Sequence, residues 1–166
     1  MGSPLRRLEP WVALTVVVLD QLAKLLVVRA LPLHASVELV PGLLDLTHVR
    51  NTGAAFGMLN AVDFPFKSVV ITTIAFVALV SIAFYAGRFG SDTAPARVGL
   101  ALIVGGAAGN LIDRARQGYV VDFVDVYWQG WHFWAFNVAD AAITVGAAAL
   151  ILDMIGTGRR HVPQAV

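Results

Sequence analysis

The chain has 166 residues, 58% of them apolar and 14% charged, with a mean hydropathy of +0.74. Soluble domains run at roughly 45–50% apolar and about 25% charged, so a water-soluble globule is excluded and an integral membrane protein is implied. A formal charge of +1 with no basic run longer than two residues gives no footprint for nucleic acid, and the lack of cysteine removes disulfides, thiolate nucleophiles and thiolate metal sites.

At about 20 residues per crossing, the length accommodates a bundle of four transmembrane helices in one domain, 1–166. The tail before Glu9 carries Arg6 and Arg7; Pro10 suits a first helical position and Trp11 a membrane interface. The first helix is expected over about 11–30. It has no small-residue cleavage site after a short apolar core, so it reads as a retained span. Asp20 and Lys24 share one of its faces at i,i+4 spacing. A charge at mid-membrane costs on the order of 3 kcal/mol. The pair is therefore either a neutralising ion pair or an organiser beneath a site, and both readings turn it inward.

Residues 31–63 form the first long loop. Val37 and Leu39, then Leu44 and Leu46, alternate on either side of Pro41-Gly42, the pattern of a small β-hairpin. Open sheet edges do not sit in lipid, so this piece belongs on the membrane surface. Asn51-Thr52-Gly53 makes a turn, and Ala54 to Leu59 suits a short interfacial helix. A loop so long and so apolar is more than a connector.

Asp63 and Pro65 mark the start of a second helix, about 66–86. A polar connection from Arg88 to Arg97 leads to a third, about 96–115, where Gly105 and Gly109 permit close helix packing. Asn110 and Arg114 share a face near its end. Asp113 points about a third of a turn away and reads, with Arg116, as part of an interfacial collar. In the second long loop, 116–135, Tyr119, Tyr127, Trp128, Trp131, Phe133 and Trp134 suit the headgroup layer. Asp122 and Asp125 lie on opposite faces if this segment is extended and on one face if it is helical, so spacing leaves the choice between them open. The fourth helix, about 136–155, starts with Asn137 and Asp140 one turn apart and Thr144 one turn deeper.

Four crossings put both termini on one side. The tails and the middle connection carry Arg6, Arg7, Arg88, Arg97, Arg159 and Arg160, against Arg29, Arg50, Lys67, Arg114 and Arg116 at the long loops. The first set lies in short flanks, where positive charge marks the cytoplasmic side. The termini are thus expected in the cytoplasm and the two long loops outside it.

Elimination narrows the chemistry. There is no GxSxG and no HExxH, and His34, His48, His132 and His161 are too far apart to suggest a metal pair. An aspartate ahead of the fourth helix and Asp140 in its first turn bring two carboxylates to one membrane surface. Two aspartates sharing a proton can activate water. The same acids, with Asp20 and Lys24, could instead serve ion passage in a small non-enzymatic transporter, although the four spans show no matching halves.

Asp20 and Lys24, NTGAAF at Asn51 to Phe56, GNLIDR ending at Arg114, VVDF around Asp122 and FNVAD at Phe136 to Asp140 occur in an order and spacing that closely resemble the bacterial lipoprotein signal peptidases, or type II signal peptidases. The resemblance covers most of the chain. It implies catalytic aspartates at Asp122 and Asp140; Asn51, Asn110, Arg114 and Asn137 positioning substrate or supporting the pair; and supporting roles for Asp20 and Lys24. It also implies an all-α bundle of four transmembrane helices carrying an extracytoplasmic β-cradle and an interfacial helix. The implied enzyme is a monomer of the bacterial inner membrane that needs no cofactor or metal and cleaves diacylglyceryl-modified prolipoproteins before the lipidated cysteine. Many relatives have Ser where this chain has Ala141 and Gly57, which weakens only local hydroxyl arguments.

Overall fold

The computed structural model describes residues 9–53, 64–89 and 93–158. Their order is α1 (Glu9–Ala30), β1 (Ser36–Val40), β2 (Leu44–Asn51), α2 (Lys67–Phe89), α3 (Ala94–Gln117), β3 (Val120–Trp128), β4 (Trp131–His132) and α4 (Val138–Gly158). All four expected helices and the hairpin about Pro41-Gly42 are present. The interfacial helix expected over Ala54 to Leu59 lies outside the described residues.

Local chemistry sets the ends of α3. Thr93 caps its start by accepting the Ala96 N–H, and Gly118, at φ 79°, closes it with an N–H bond to Arg114 O at 3.0 Å. Glu9 and Arg97 form an ion pair joining the starts of α1 and α3. Helix α3 is central, contacting α1, α2 and α4. Its glycines allow this: a Cβ on Gly105 would lie 2.7 Å from Ala13 O of α1, and one on Gly106 would strike the Ala139 carbonyl of α4. The bundle buries charged side chains among its apolar core and exposes large apolar residues outside. Asp20 and Lys24 are buried on α1, whereas Leu22, Leu26, Ile74, Phe76, Ile151 and Leu152 are exposed. Helices α1, α3 and α4 are long and apolar enough to cross a membrane, and the described apolar stretch of α2, Lys67–Ile82, is shorter.

The second long loop is largely strand. One antiparallel sheet has the order β1-β2-β3-β4, and the β3–β4 turn uses Gln129 and Gly130, both left-handed at φ 51° and 81°. Strand β3 escapes recognition from alternation because Val120, Val121, Asp122 and Phe123 are all buried, so apolar and polar residues do not alternate as they do in a half-exposed strand. A bulge between Leu46 and Val49 sets the register that pairs Val49 with Asp122. Within the bulge, His48 Nδ1 lies 2.9 Å from Leu31 O. A carbonyl only accepts, so the ring nitrogen donates and ties the sheet to the end of α1.

Candidate active site

The start of α4 is held by side chains from three places in the sequence. Asn137 Oδ1 accepts the Asp140 N–H at 3.0 Å, and Asp140 Oδ2 accepts the Asn137 N–H at 3.3 Å, a reciprocal capping box. Asp20 reaches from α1 to accept the Ala139 N–H at 3.0 Å. These bonds satisfy amides that the helix itself leaves open, and they set carboxylates at its positive end. The remaining oxygen of Asp140 accepts from Asn110 Nδ2 at 2.8 Å.

Asp122 approaches from β3. Its Oδ1 accepts from Asn137 Nδ2 at 2.7 Å and its Oδ2 from Asn51 Nδ2 at 3.0 Å, so Asn137 links the two carboxylates, Asp122 through its side chain and Asp140 through its backbone N–H. Burial first, and then the nearby charge of Asp140, push the Asp122 carboxyl up to about 7, against the opposing pull of the Asn51 and Asn137 amides and of Lys24. A carboxyl raised this far keeps its proton well above the pH at which an ordinary aspartate ionises. The extended backbone decides between the two acids of this segment. Asp125 falls on the other face of β3 and pairs with His132 at 2.8 Å, away from Asp140.

Beneath the pair, Lys24 spends all three of its donors on Asp20 Oδ2 at 2.7 Å, Asp113 Oδ2 at 2.9 Å and Asn110 Oδ1 at 2.9 Å. Lysine can only donate, so the Asn110 carbonyl must face it and the Asn110 amide must face Asp140. Lys24 thereby fixes which way the Asn110 side chain faces.

Asp113 corrects the sequence reading. It is 4% exposed and lies inside the bundle rather than in an interfacial collar. It accepts from Lys24, from Gln21 at 3.0 Å and from the Val121 N–H at 3.2 Å. That last bond fixes the β3 backbone one residue before Asp122. Arg116 alone of the proposed collar is exposed.

Asn51 accepts the Gly53 N–H at 2.9 Å in a local side-chain turn, and Arg114 Nη2 donates to Gly53 O at 2.9 Å. Arg114 thus holds the turn that carries Asn51, and its charge is felt by both Asp122 and Asp140. The Thr144 hydroxyl donates to Asp140 O, the backbone carbonyl, at 2.8 Å and does not reach the carboxylate. All eight residues singled out from the sequence, Asp20, Lys24, Asn51, Asn110, Arg114, Asp122, Asn137 and Asp140, therefore converge on one end of the bundle. Among the described residues, no group of three or more His, Asp and Glu side chains is set to hold a metal ion.

Comparison with known proteins gives a consistent result. The profile of the Signal peptidase (SPase) II family matches residues 12–156. The lipoprotein signal peptidase of Syntrophotalea carbinolica is 47% identical over 90% of this chain and 92% of its own. That of Geobacter sulfurreducens is 45% identical over 97% and 99%. A bacterial membrane enzyme solved by the in meso method at 2.3 Å resolution superposes with a TM-score of 0.80 at 30% identity, covering 95% of this chain and 93% of the other.

Proposed function

This chain belongs to the signal peptidase II family, and from that membership we propose that it removes signal peptides from lipoproteins in a bacterial membrane, as an aspartic endopeptidase acting through Asp122 and Asp140. The observation that carries the aspartic reading is Asn137 bonded to both carboxylates, its side-chain amide donating to Asp122 and its backbone N–H to Asp140, with Asp122 pushed up to about 7. A pair sharing one proton follows. The ionised member, Asp140, takes a proton from water as its oxygen attacks the scissile carbonyl carbon, and Asp122 delivers its proton to the carbonyl oxygen. The gem-diol then collapses: one hydroxyl returns its proton to Asp122 as the carbonyl re-forms, the C–N bond breaks, and the leaving amine takes the proton held by Asp140, which restores the starting pair. No cofactor enters these steps.

In this reading α2 is the fourth crossing, both termini are cytoplasmic, and the sheet and the aspartates lie at the extracytoplasmic surface of the inner membrane. The basic short flanks support that orientation. The substrates are diacylglyceryl-modified prolipoproteins cut before the lipidated cysteine, and the enzyme acts as a monomer. Arg114, Asn51, Asn110 and Asn137 position the pair and the substrate. Ion passage is not favoured, because Lys24, Asp20 and Asp113 are spent in fixed mutual bonds. Purified protein incubated with a lipidated precursor in the presence of a chelator should release a shorter product. No cleavage by folded protein would overturn this reading.

A further inference from the structure

Strand β2 carries two residues on which the place of Asp122 depends. Val49 pairs with it across the sheet, and Asn51 donates to its Oδ2 at 3.0 Å. Both follow directly on the bulge that takes in Thr47 and His48. A bulge adds a residue that the neighbouring strand does not match, so the bulge is fixed along β2 by bonds from outside the ladder.

His48 makes those bonds. It is 4% exposed, and the connector after α1 holds its backbone: its N–H donates to Ala35 O at 3.1 Å and its carbonyl accepts the His34 N–H at 2.8 Å. The ring reaches further, donating from Nδ1 to Leu31 O at 2.9 Å. The Leu31 N–H still bonds Val27 O, so this acceptor belongs to the end of α1, where carbonyls lack helical partners. Nε2 is buried and has no hydrogen-bond partner among the described residues. The polar contact of the ring with the fold is therefore made by Nδ1.

Helix α1 also grips the other side of the pair, because Asp20 accepts the Ala139 N–H at the start of α4. A closed circuit of bonds results. It runs from α4 through Asp20 to α1, from Leu31 through His48 to β2, from Asn51 to Asp122, and through Asn137 back to α4. A reacting pair is held by the bonds behind it as much as by those it makes.

We propose that His48 is a positioning residue for the aspartate pair: its Nδ1 bond to the end of α1 fixes the β2 bulge, and through Val49 and Asn51 it sets where Asp122 stands relative to Asp140. This rests on the peptidase reading of the pair, and His48 acts through β2 rather than on the reacting atoms.

The test compares three substitutions in the full chain. His48→Phe keeps a ring without a donor, His48→Gln carries its amide out toward the place of Nε2, and His48→Asn sets its amide nitrogen at the place of Nδ1. None of the three titrates, so a difference among them does not come from ionisation of the histidine. Deuterium exchange of the 44–51 and 120–128 amides should quicken in the first two and stay near wild type in His48→Asn. Turnover of a lipidated precursor should fall about fivefold to tenfold in the first two, the range of one hydrogen bond. Their alkaline limb should move to higher pH, because Asp122 loses part of the Asn51 bond that holds its pKa down. His48→Asn should restore both. Wild-type turnover in folded His48→Phe and His48→Gln, a His48→Asn no better than they are, or unchanged exchange in all three would overturn the proposal. If His48→Phe does not fold, the comparison of His48→Gln with His48→Asn decides. Exchange is read without substrate, so failure of the anchor and failure of the peptidase reading are told apart.

Discussion

Asn137 donates to Asp122 Oδ1 at 2.7 Å through its amide while its carbonyl oxygen receives the Asp140 N–H at 3.0 Å, so one side chain both caps α4 and ties its first turn to Asp122. Both duties are probed by Asn137→Asp. Aspartate is as good an N-cap as asparagine, but the site is fully buried and the amide also donates to Asn110 Oδ1 and to Val121 O, so the melting temperature should fall. A carboxylate in place of the amide donor also removes a bond that lowers the Asp122 pKa and adds a like charge. Turnover should fall at least about tenfold, and any residual activity should have its alkaline limb moved to higher pH. A pH–rate series beside a melting curve checks both.

The wild-type profile should itself be bell-shaped, with apparent pKa values belonging to the pair. Asp122, pushed up to about 7, loses its proton above that pH, and activity should decline through this region. Stability follows the same group. Its folded pKa lies above the unfolded value of about 3.9, so its contribution is full below about pH 4 and is lost as pH rises to about 7. Asp122→Asn carries no such loss. Its stability advantage over wild type should be largest near pH 8, on the order of 1 kcal/mol or more, and should shrink toward pH 4. Unfolding curves at the two pH values measure this.

Asp113 and Asp125 should part company. Asp113→Asn leaves Lys24 paired with Asp20 but weakens a charge-assisted contact worth about 1.5–3 kcal/mol, and it loosens the Val121 backbone beside Asp122. Lower melting temperature and at least tenfold lower turnover are expected. Asp125 pairs with His132 on the other face of β3, so Asp125→Asn should stay within about twofold of wild type, an exposed pair being worth about 0–1 kcal/mol. Parallel melting and cleavage assays on the two variants check this.

Orientation is tested by a reporter fused after Ile155. It should be active only when it functions in the cytoplasm, in keeping with the basic flanks.

Much of this arrangement was legible in the residues. The i,i+4 spacing of Asp20 and Lys24 put them on the buried face of α1, Pro41-Gly42 marked the β1–β2 hairpin, and Gly105 signalled close packing, here against α1. Other parts were hidden for physical reasons. Strand β3 is buried on both sides at its start and shows no alternation. Helical geometry alone turned Asp113 away from Asn110, yet Lys24 lies between them and bonds to both. The capping box was written in Asn137 and Asp140 three residues apart, but its reach to Asp122 depends on a β-bulge in the neighbouring strand β2, far from it in sequence.

The central claim is that Asp122 and Asp140 act as one unit on water. Asparagine keeps the shape of each but cannot shuttle the proton. The decisive measurement is turnover of a lipidated precursor by well-folded Asp122→Asn, Asp140→Asn and the double variant. Each single change should abolish cleavage while substrate still binds, and the double variant should be no worse than either. Full activity in either single variant would contradict the assignment.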